Sequence, residues 1–415
     1  MTMILPFKGL RPVAGLAQDV SAPPYDVMNR AEAKEMAKGK PLSFLHISRP
    51  EIDLEDDLNP YDEKVYAKGK ERLEEMIENK HLAQDPCDSY YFYQMQDGEH
   101  IQTGLMAVAS AKKYDENLIL KHELTRNDKE TDRIKMIEGM NAQASPVLLT
   151  CKPTEEFRVI GAVVTESAPT AEVVDLQGVT HRLWAVDNPS VVEAVSALFN
   201  GGHKDLDKLY IADGHHRSAA GSRVAAIRKE QNPNHTGDES YNYFLSVIFP
   251  SDEMKILDYN RVVKDLNGLS IGEFLAKVSE SFAVTQVDAA YKPAVPGEVG
   301  MFLGKHWYSL KVKEELIPDE ATGKLDVSLL YNLLLAPVLA IGNPRTDKRI
   351  DFVGGIRGLK ELEKRVLQGD SEVAFAMYPT QMEQIISVAD AGEIMPPKST
   401  WFEPKLVDGL VSHLL

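Results

Sequence analysis

Apolar positions in this chain follow two rhythms. Between Pro60 and Asn79 they recur at helical spacing, with Val65, Leu73 and Ile77 on one side. From Ser89 the rhythm becomes that of strands. Tyr90–Met95 and Ile101–Ala109 flank Gln96-Asp97-Gly98, which predicts a hairpin. Before them, Ala31 to Lys38 reads as a short helix ending at Gly39, and Pro41 to Ile47 as a strand. Further strands are expected over Asn117–Leu120, Pro146–Thr150, Arg158–Thr165, Arg182–Val186 and Leu209–Ala212, with helices over Asp128–Met140 and Ser190–Phe199. A helix over Arg217–Lys229, a polar link over Gln231–Glu239 and a buried-type strand over Tyr243–Phe249 come next. The last third alternates: helices near Ile271–Phe282, Val327–Leu339 and Leu359–Leu367, strands at Gly300–Phe302, Trp307–Val312, Ile350–Val353 and Val373–Met377. Helices mixed with hairpins argue α+β more than a doubly wound sheet.

At 415 residues the chain exceeds one ordinary core. Three stretches are expected: an irregular and helical region over 1–85, a central core with an insertion over 86–250, and an α+β region over 251–415 that completes the cleft. No repeat of solenoid period is visible. No apolar run is long enough to span a bilayer, and the start of the chain lacks a processing pattern, so a cytoplasmic location and no membrane partner are expected. Two cysteines, Cys87 and Cys151, form neither a disulfide framework nor a zinc motif. A net charge of −17 argues against a nucleic-acid coat but not against a small phosphorylated ligand, for which a few arginines in a cleft suffice.

One stretch changes the picture. The apolar run Leu209-Tyr210-Ile211-Ala212 stops at Asp213-Gly214-His215-His216-Arg217, and an alanine-rich helix follows at once. A helix N-terminus presents unpaired N–H groups and partial positive charge, a natural seat for phosphate. Gly214 permits close backbone approach, and Arg217 offers a bidentate fork. Asp-Gly also occurs at such turns merely because Asp caps and Gly bends. Five such positions together favour the functional reading. Adjacent histidines point about 100° apart on a helix, so a zinc pair at His215-His216 is not expected. Asp213 is the expected oxygen ligand for a magnesium-bound nucleotide.

Three other clusters hold candidates. Lys121-His122-Glu123 runs into Arg126 and a helix start, making Glu123 a candidate base and Arg126 a candidate phosphate ligand. Read alone, that cluster is better explained as a solvated helix start, although the His122-Glu123 pair before the turn is harder to explain as surface decoration. Gly354-Gly355 with Arg357 offers further exposed amides, and Lys398, Ser399 and Thr400 in a proline-rich turn are candidate phosphate or nucleotide contacts. No P-loop pattern is present.

Long strings of the chain resemble a widespread bacterial family catalogued as domain of unknown function one thousand and fifteen. They are Pro6–Pro12, Ala22-Pro23-Pro24-Tyr25-Asp26-Val27, Ser43–His46 with Arg49–Asp53, His122-Glu123 with Thr125, Ala212–Arg217, Asp347–Gly355 and Met395–Lys405. The Asp-Gly-His-His-Arg turn is also similar to that of free serine kinases of the ParB/sulfiredoxin-like superfamily. That resemblance implies mixed sheets around a ParB/sulfiredoxin-like nucleotide-binding core with added α/β elaborations. It further implies ATP or ADP with Mg2+ as cofactors, and L-serine as the small hydroxyl substrate. Gly214 to Arg217 would hold phosphate, Glu123 would take the hydroxyl proton, and His215 or His216 would stabilise the moving phosphoryl group. The alternative is a nucleotide-binding switch or scaffold, as in the CTP-binding partition proteins; the acidic balance weighs against nucleic acid as its partner. A homo-oligomer is left open.

Overall fold

The computed structural model describes residues 2–415 and divides them into two compact units. The first runs to Met254 and takes in Pro404–Leu415; the second is Lys255–Glu403. The stretches 1–85 and 86–250 thus share one unit, and the last twelve residues join them. Both units mix helices with sheets, an α+β architecture.

The first unit is built on a nine-stranded mixed sheet. Its order is Ile119–Leu120, Leu209–Asp213, Val147–Cys151, Tyr243–Pro250, His100–Ser110, Tyr90–Asp97, Thr180–Val186 and Ala171–Val174, with Ile4–Leu5 also pairing to His100–Ser110. The expected hairpin forms with Asp97 opposite His100. Simple alternation would expose every second residue of Tyr90-Tyr91-Phe92-Tyr93, yet all four are buried. Both faces of the sheet are covered there, and the three hydroxyls find acceptors or partners at Ser196, Asp85 and His181. Burial of each such ring contributes about 1.5–3 kcal/mol.

The helix His215–Gln231 follows the strand Leu209–Asp213 directly. Alanines at 219, 220, 225 and 226 favour it, and Arg228 and Lys229 complement its C-terminal end. It sits tight on the sheet: a Cβ at Gly221 would lie 2.9 Å from Phe244 Cβ. Helix Asn127–Met140 packs against it and against Glu63–Glu78.

Two stretches expected as strands are helical. Residues 155–165 form a helix because Thr154 caps it, accepting the Phe157 N–H, and Glu155 and Glu156 lie in its first turn. Phe157 and Gly161, four apart, make the buried face. The β-branched run Val159 to Thr165 imitates a strand, but half of it faces out. Leu45–Ser48 is a short helix that buries Leu45 and Ile47. A short apolar run does not distinguish the two conformations. The helix expected over Val327–Leu339 breaks after Leu330 into a wider turn at Tyr331–Leu335.

The second unit is a six-stranded antiparallel sheet in the order Phe282–Val287, His306–Val312, Glu298–Leu303, Val373–Met377, Tyr259–Val263, Ile350–Gly354. Leu362 and Val366 of helix Gly358–Leu367 belong to its core. Its two ends are joined by a ribbon, Lys255–Leu257 against Trp401–Glu403. No helix among the described residues is long and apolar enough to cross a membrane.

Candidate functional site

The turn after Leu209–Asp213 begins with a register slip. Between Ile211 and Asp213 the pairing with Val147–Cys151 shifts, leaving Ala212 as an extra residue. Such a bulge re-aims the strand end. Gly214 then adopts φ 93°, the left-handed conformation that glycine takes without penalty. A Cβ there would also come within 2.9 Å of Arg217 Nε. The first intrahelical bond runs from Ser218 N–H to the Gly214 carbonyl at 3.0 Å. The amides of His215, His216 and Arg217 therefore precede the helix's own ladder.

Asp213 closes the turn from outside. Its Oδ1 accepts the Gly214 N–H at 2.7 Å, and Lys405 Nζ lies 3.5 Å from its Oδ2. Arg217 Nη2 stands 3.9 Å from Oδ1. Burial would raise the carboxyl's pKa, but Lys405, Arg217 and the Gly214 amide outweigh it and hold it down to about 2.

Arg217 is buried. Its Nη1 donates to the Pro146 carbonyl at 2.6 Å, while Nε has no hydrogen-bond partner. Burial opposes its charge, but Asp26, Tyr25, Asp213 and Asp408 together raise its pKa further. Its guanidinium lies 5.9 Å from the centre of the Tyr25 ring, and that of Arg133 4.1 Å from the same ring. Behind these groups is a cavity of about 40 Å³ lined by Tyr25, Arg133, Ser145 and Arg217 together with apolar side chains. Burial pushes Asp408 up to about 7 against the pull of Arg217 and Ser145.

The second chemical segment reaches the same helix start. Glu123 Oε2 lies 3.8 Å from His215 Nδ1. The buried His122 ring packs edge-on against His215 with centroids 4.5 Å apart. Burial, then the neighbouring His122, drives the His215 pKa well below 6.5, and burial lowers His122 to about 4. Both imidazoles are neutral at pH 7. His215 Nε2 has no hydrogen-bond partner. His216 serves differently: its Nε2 accepts the Arg126 N–H at 3.1 Å and so ties the Glu123 loop to the helix. Thr125 donates to Glu130 on the following helix Asn127–Met140, whose other oxygen lies 3.0 Å from Arg223 Nε on the His215–Gln231 helix.

The family model described as "Protein of unknown function (DUF1015)" matches residues 4–328. The chain belongs to that family. No curated protein sequence matches it. Among solved structures it is similar to a free serine kinase in complex with AMP, at 16% identity and TM-score 0.34, covering 72% of this chain and 86% of that one. It is similar to SbnI with C-terminal truncation from Staphylococcus aureus at 11% identity and TM-score 0.39, with 74% and 87% covered. A conserved hypothetical protein from Pyrococcus furiosus gives 16% identity, TM-score 0.34 and coverages of 74% and 95%.

The structure thus gathers Glu123, Asp213, Gly214, His215, His216 and Arg217 at one helix start of this DUF1015 protein. Arg126 is near through its backbone, but its guanidinium is turned to Asp128 at 3.1 and 2.8 Å and is mostly exposed. Lys398, Ser399 and Thr400 belong to the second unit. There the Lys398 carbonyl accepts from Arg261 at 3.0 Å, and buried Ser399 donates to the Pro396 carbonyl at 2.6 Å. Asp213, the expected magnesium ligand, has its oxygens turned to an amide and two cations. Sequence reasoning missed Asp26, Tyr25, Arg133 and Asp408 as neighbours of Arg217. The first two lie in the Ala22–Val27 string, the one signal that pointed toward them.

Proposed function

We propose that this protein is a small-molecule kinase with a ParB/sulfiredoxin-like core, moving a phosphoryl group from ATP or ADP to a hydroxyl. Free L-serine is the acceptor that the sequence resemblance implies. One observation carries the reading: the Glu123 carboxylate stands 3.8 Å from His215, on the first turn of the helix whose start also holds Arg217. A base and a phosphate seat share one helix end.

Phosphoryl transfer asks mainly for positioning and neutralisation of charge. The amides of His215 to Arg217 and the Arg217 guanidinium supply both to the nucleotide phosphates. Glu123 accepts the proton of the acceptor hydroxyl as its oxygen bonds to the terminal phosphorus. The bond from that phosphorus to the bridging oxygen breaks, and the shortened nucleotide leaves. Neutral His215, in the tautomer with its proton on Nε2, donates a hydrogen bond to the moving group without adding a charge.

The test is incubation of the protein with ATP or ADP, magnesium salt and pooled amino acids, followed by mass spectrometry. O-phosphoserine formed by the wild type and not by Arg217→Ala supports the reading. No phosphorylated product, with nucleotide still raising the melting temperature, sinks it in favour of a nucleotide-binding switch.

A further inference from the structure

The last twelve residues are threaded through the first unit rather than hung on it. Ala22 and Asp408 exchange both backbone hydrogen bonds, at 3.1 and 2.8 Å, and Leu10 and Ser412 do the same at 2.9 and 2.8 Å. His413 and Leu414 pair with Gln143 and Ala142 as a short ribbon. The Asp408 carboxylate accepts from Ser145 Oγ at 2.8 Å. Leu406 to Ser412 are all buried. A chain end held this thoroughly fixes the position of whatever it bears.

What it bears next to the turn is Lys405. Its ammonium lies beside Asp213 Oδ2, while Arg217 faces the other oxygen of the same carboxylate. Two cations thus flank one carboxylate at a helix N-terminus biased positive, with Asp26 a further acid 3.9 Å from Arg217 Nη2. Arg217 Nε, a buried donor without a hydrogen-bond partner, lies at the same turn, 2.9 Å from where a Cβ on Gly214 would stand. The Lys405 side chain is 23% exposed, so a ligand at the turn can reach it.

From this geometry we infer that Lys405 is a phosphate-binding residue of the nucleotide site, delivered to it by the C-terminal segment. This rests on the reading of Gly214 to Arg217 as the phosphate seat. Arg217 supplies a planar fork and Lys405 a compact point charge, and they approach Asp213 from different oxygens. The ligand class this favours is a nucleoside di- or triphosphate, whose successive phosphates give each cation its own oxygen.

The experiment is titration of wild type, Lys405→Met, Lys405→Gln and Lys405→Arg with ADP and ATP at two salt concentrations, beside a melting curve of each. Folded Met and Gln variants are expected to bind at least tenfold more weakly and with less salt dependence, while Arg restores most of the affinity. Affinity within twofold of wild type in either folded neutral variant overturns the inference and leaves the kinase reading standing. Absence of nucleotide binding by the wild type overturns both. Loss of folding in Met and Gln, with Arg folded and binding like wild type only at low salt, also overturns it, since Lys405 would then be a structural cation.

Discussion

Two arginines, Arg217 in the first unit and Arg261 in the second, answer burial in opposite ways. Arg217 is ringed by Asp26, Asp213 and Asp408, and its charge is reinforced. Arg261 meets the carbonyls of Tyr259 and Lys398 and the ring of Phe352, and burial lowers its pKa to about 10. Arg261 spends its donors on backbone and fastens the turn before Trp401. Arg217 keeps its charge, uses Nη1 on Pro146 and leaves Nε unspent at a helix start. A buried cation signals a ligand when it retains charge and donors, and signals architecture when carbonyls consume them.

The largest effect expected on the Arg217 side is chemical. Glu123→Gln should lower turnover by about 10²–10⁴ while nucleotide affinity holds, checked by initial rates and a binding titration. Unchanged turnover would remove the base from the site. On the Arg261 side the loss is of stability. Arg261→Ala removes two partly buried hydrogen bonds to carbonyls and the packing of a buried side chain, and should cost about 1–3 kcal/mol in denaturant unfolding, with no dependence on added phosphate. A phosphate-dependent difference would show the two arginines to be alike after all.

Gly214→Ala attacks the geometry that frees Arg217. It places a Cβ where φ is +93° and within 2.9 Å of Nε, for a loss of about 1–3 kcal/mol. Nucleotide should then stabilise the variant less than the wild type in a melting series. The smallest effect is a pH dependence. Asp408 has a folded pKa of about 7, above its unfolded value near 3.9, so the folded state holds the extra proton between them. Its stabilisation is complete below about pH 4 and is lost as pH rises through 7. Asp408→Asn, which cannot titrate, should gain on the wild type by up to about 1.4 kcal/mol per pH unit as pH rises toward 7 and little beyond, read from unfolding at pH 5 and pH 8. A variant that loses ground to the wild type as pH rises would reverse the sign.

Local sequence revealed some elements and hid others. The strand, turn and helix at Leu209–Gln231 were legible because an apolar run, a glycine and an alanine-rich stretch follow one another within a few residues. The hairpin at Gln96–Gly98 was legible for the same reason. Residues 155–165 were not, since β-branched side chains outweigh a cap in simple periodicity, and the Thr154 cap was the overlooked sign. The surroundings of Arg217 lay further out of reach. Asp26, Asp213 and Asp408 are remote from one another in sequence and meet only through sheet pairing and the Ala22–Asp408 bridge. Lys405 was visible as part of a proline-rich string, but nothing local tied it to a turn so far upstream.

The return of Pro404–Leu415 to the first unit has a consequence in time. A ribosome releases Asp213 long before it has made Lys405 and Asp408, the separation being roughly 190 residues, or about 10–40 s of synthesis at ordinary rates. Throughout that interval the turn lacks its lysine and Arg217 lacks the carboxylate behind it. The turn is therefore made well before Lys405 and Asp408, and a chain stopped between them would carry the conspicuous motif without these two neighbours.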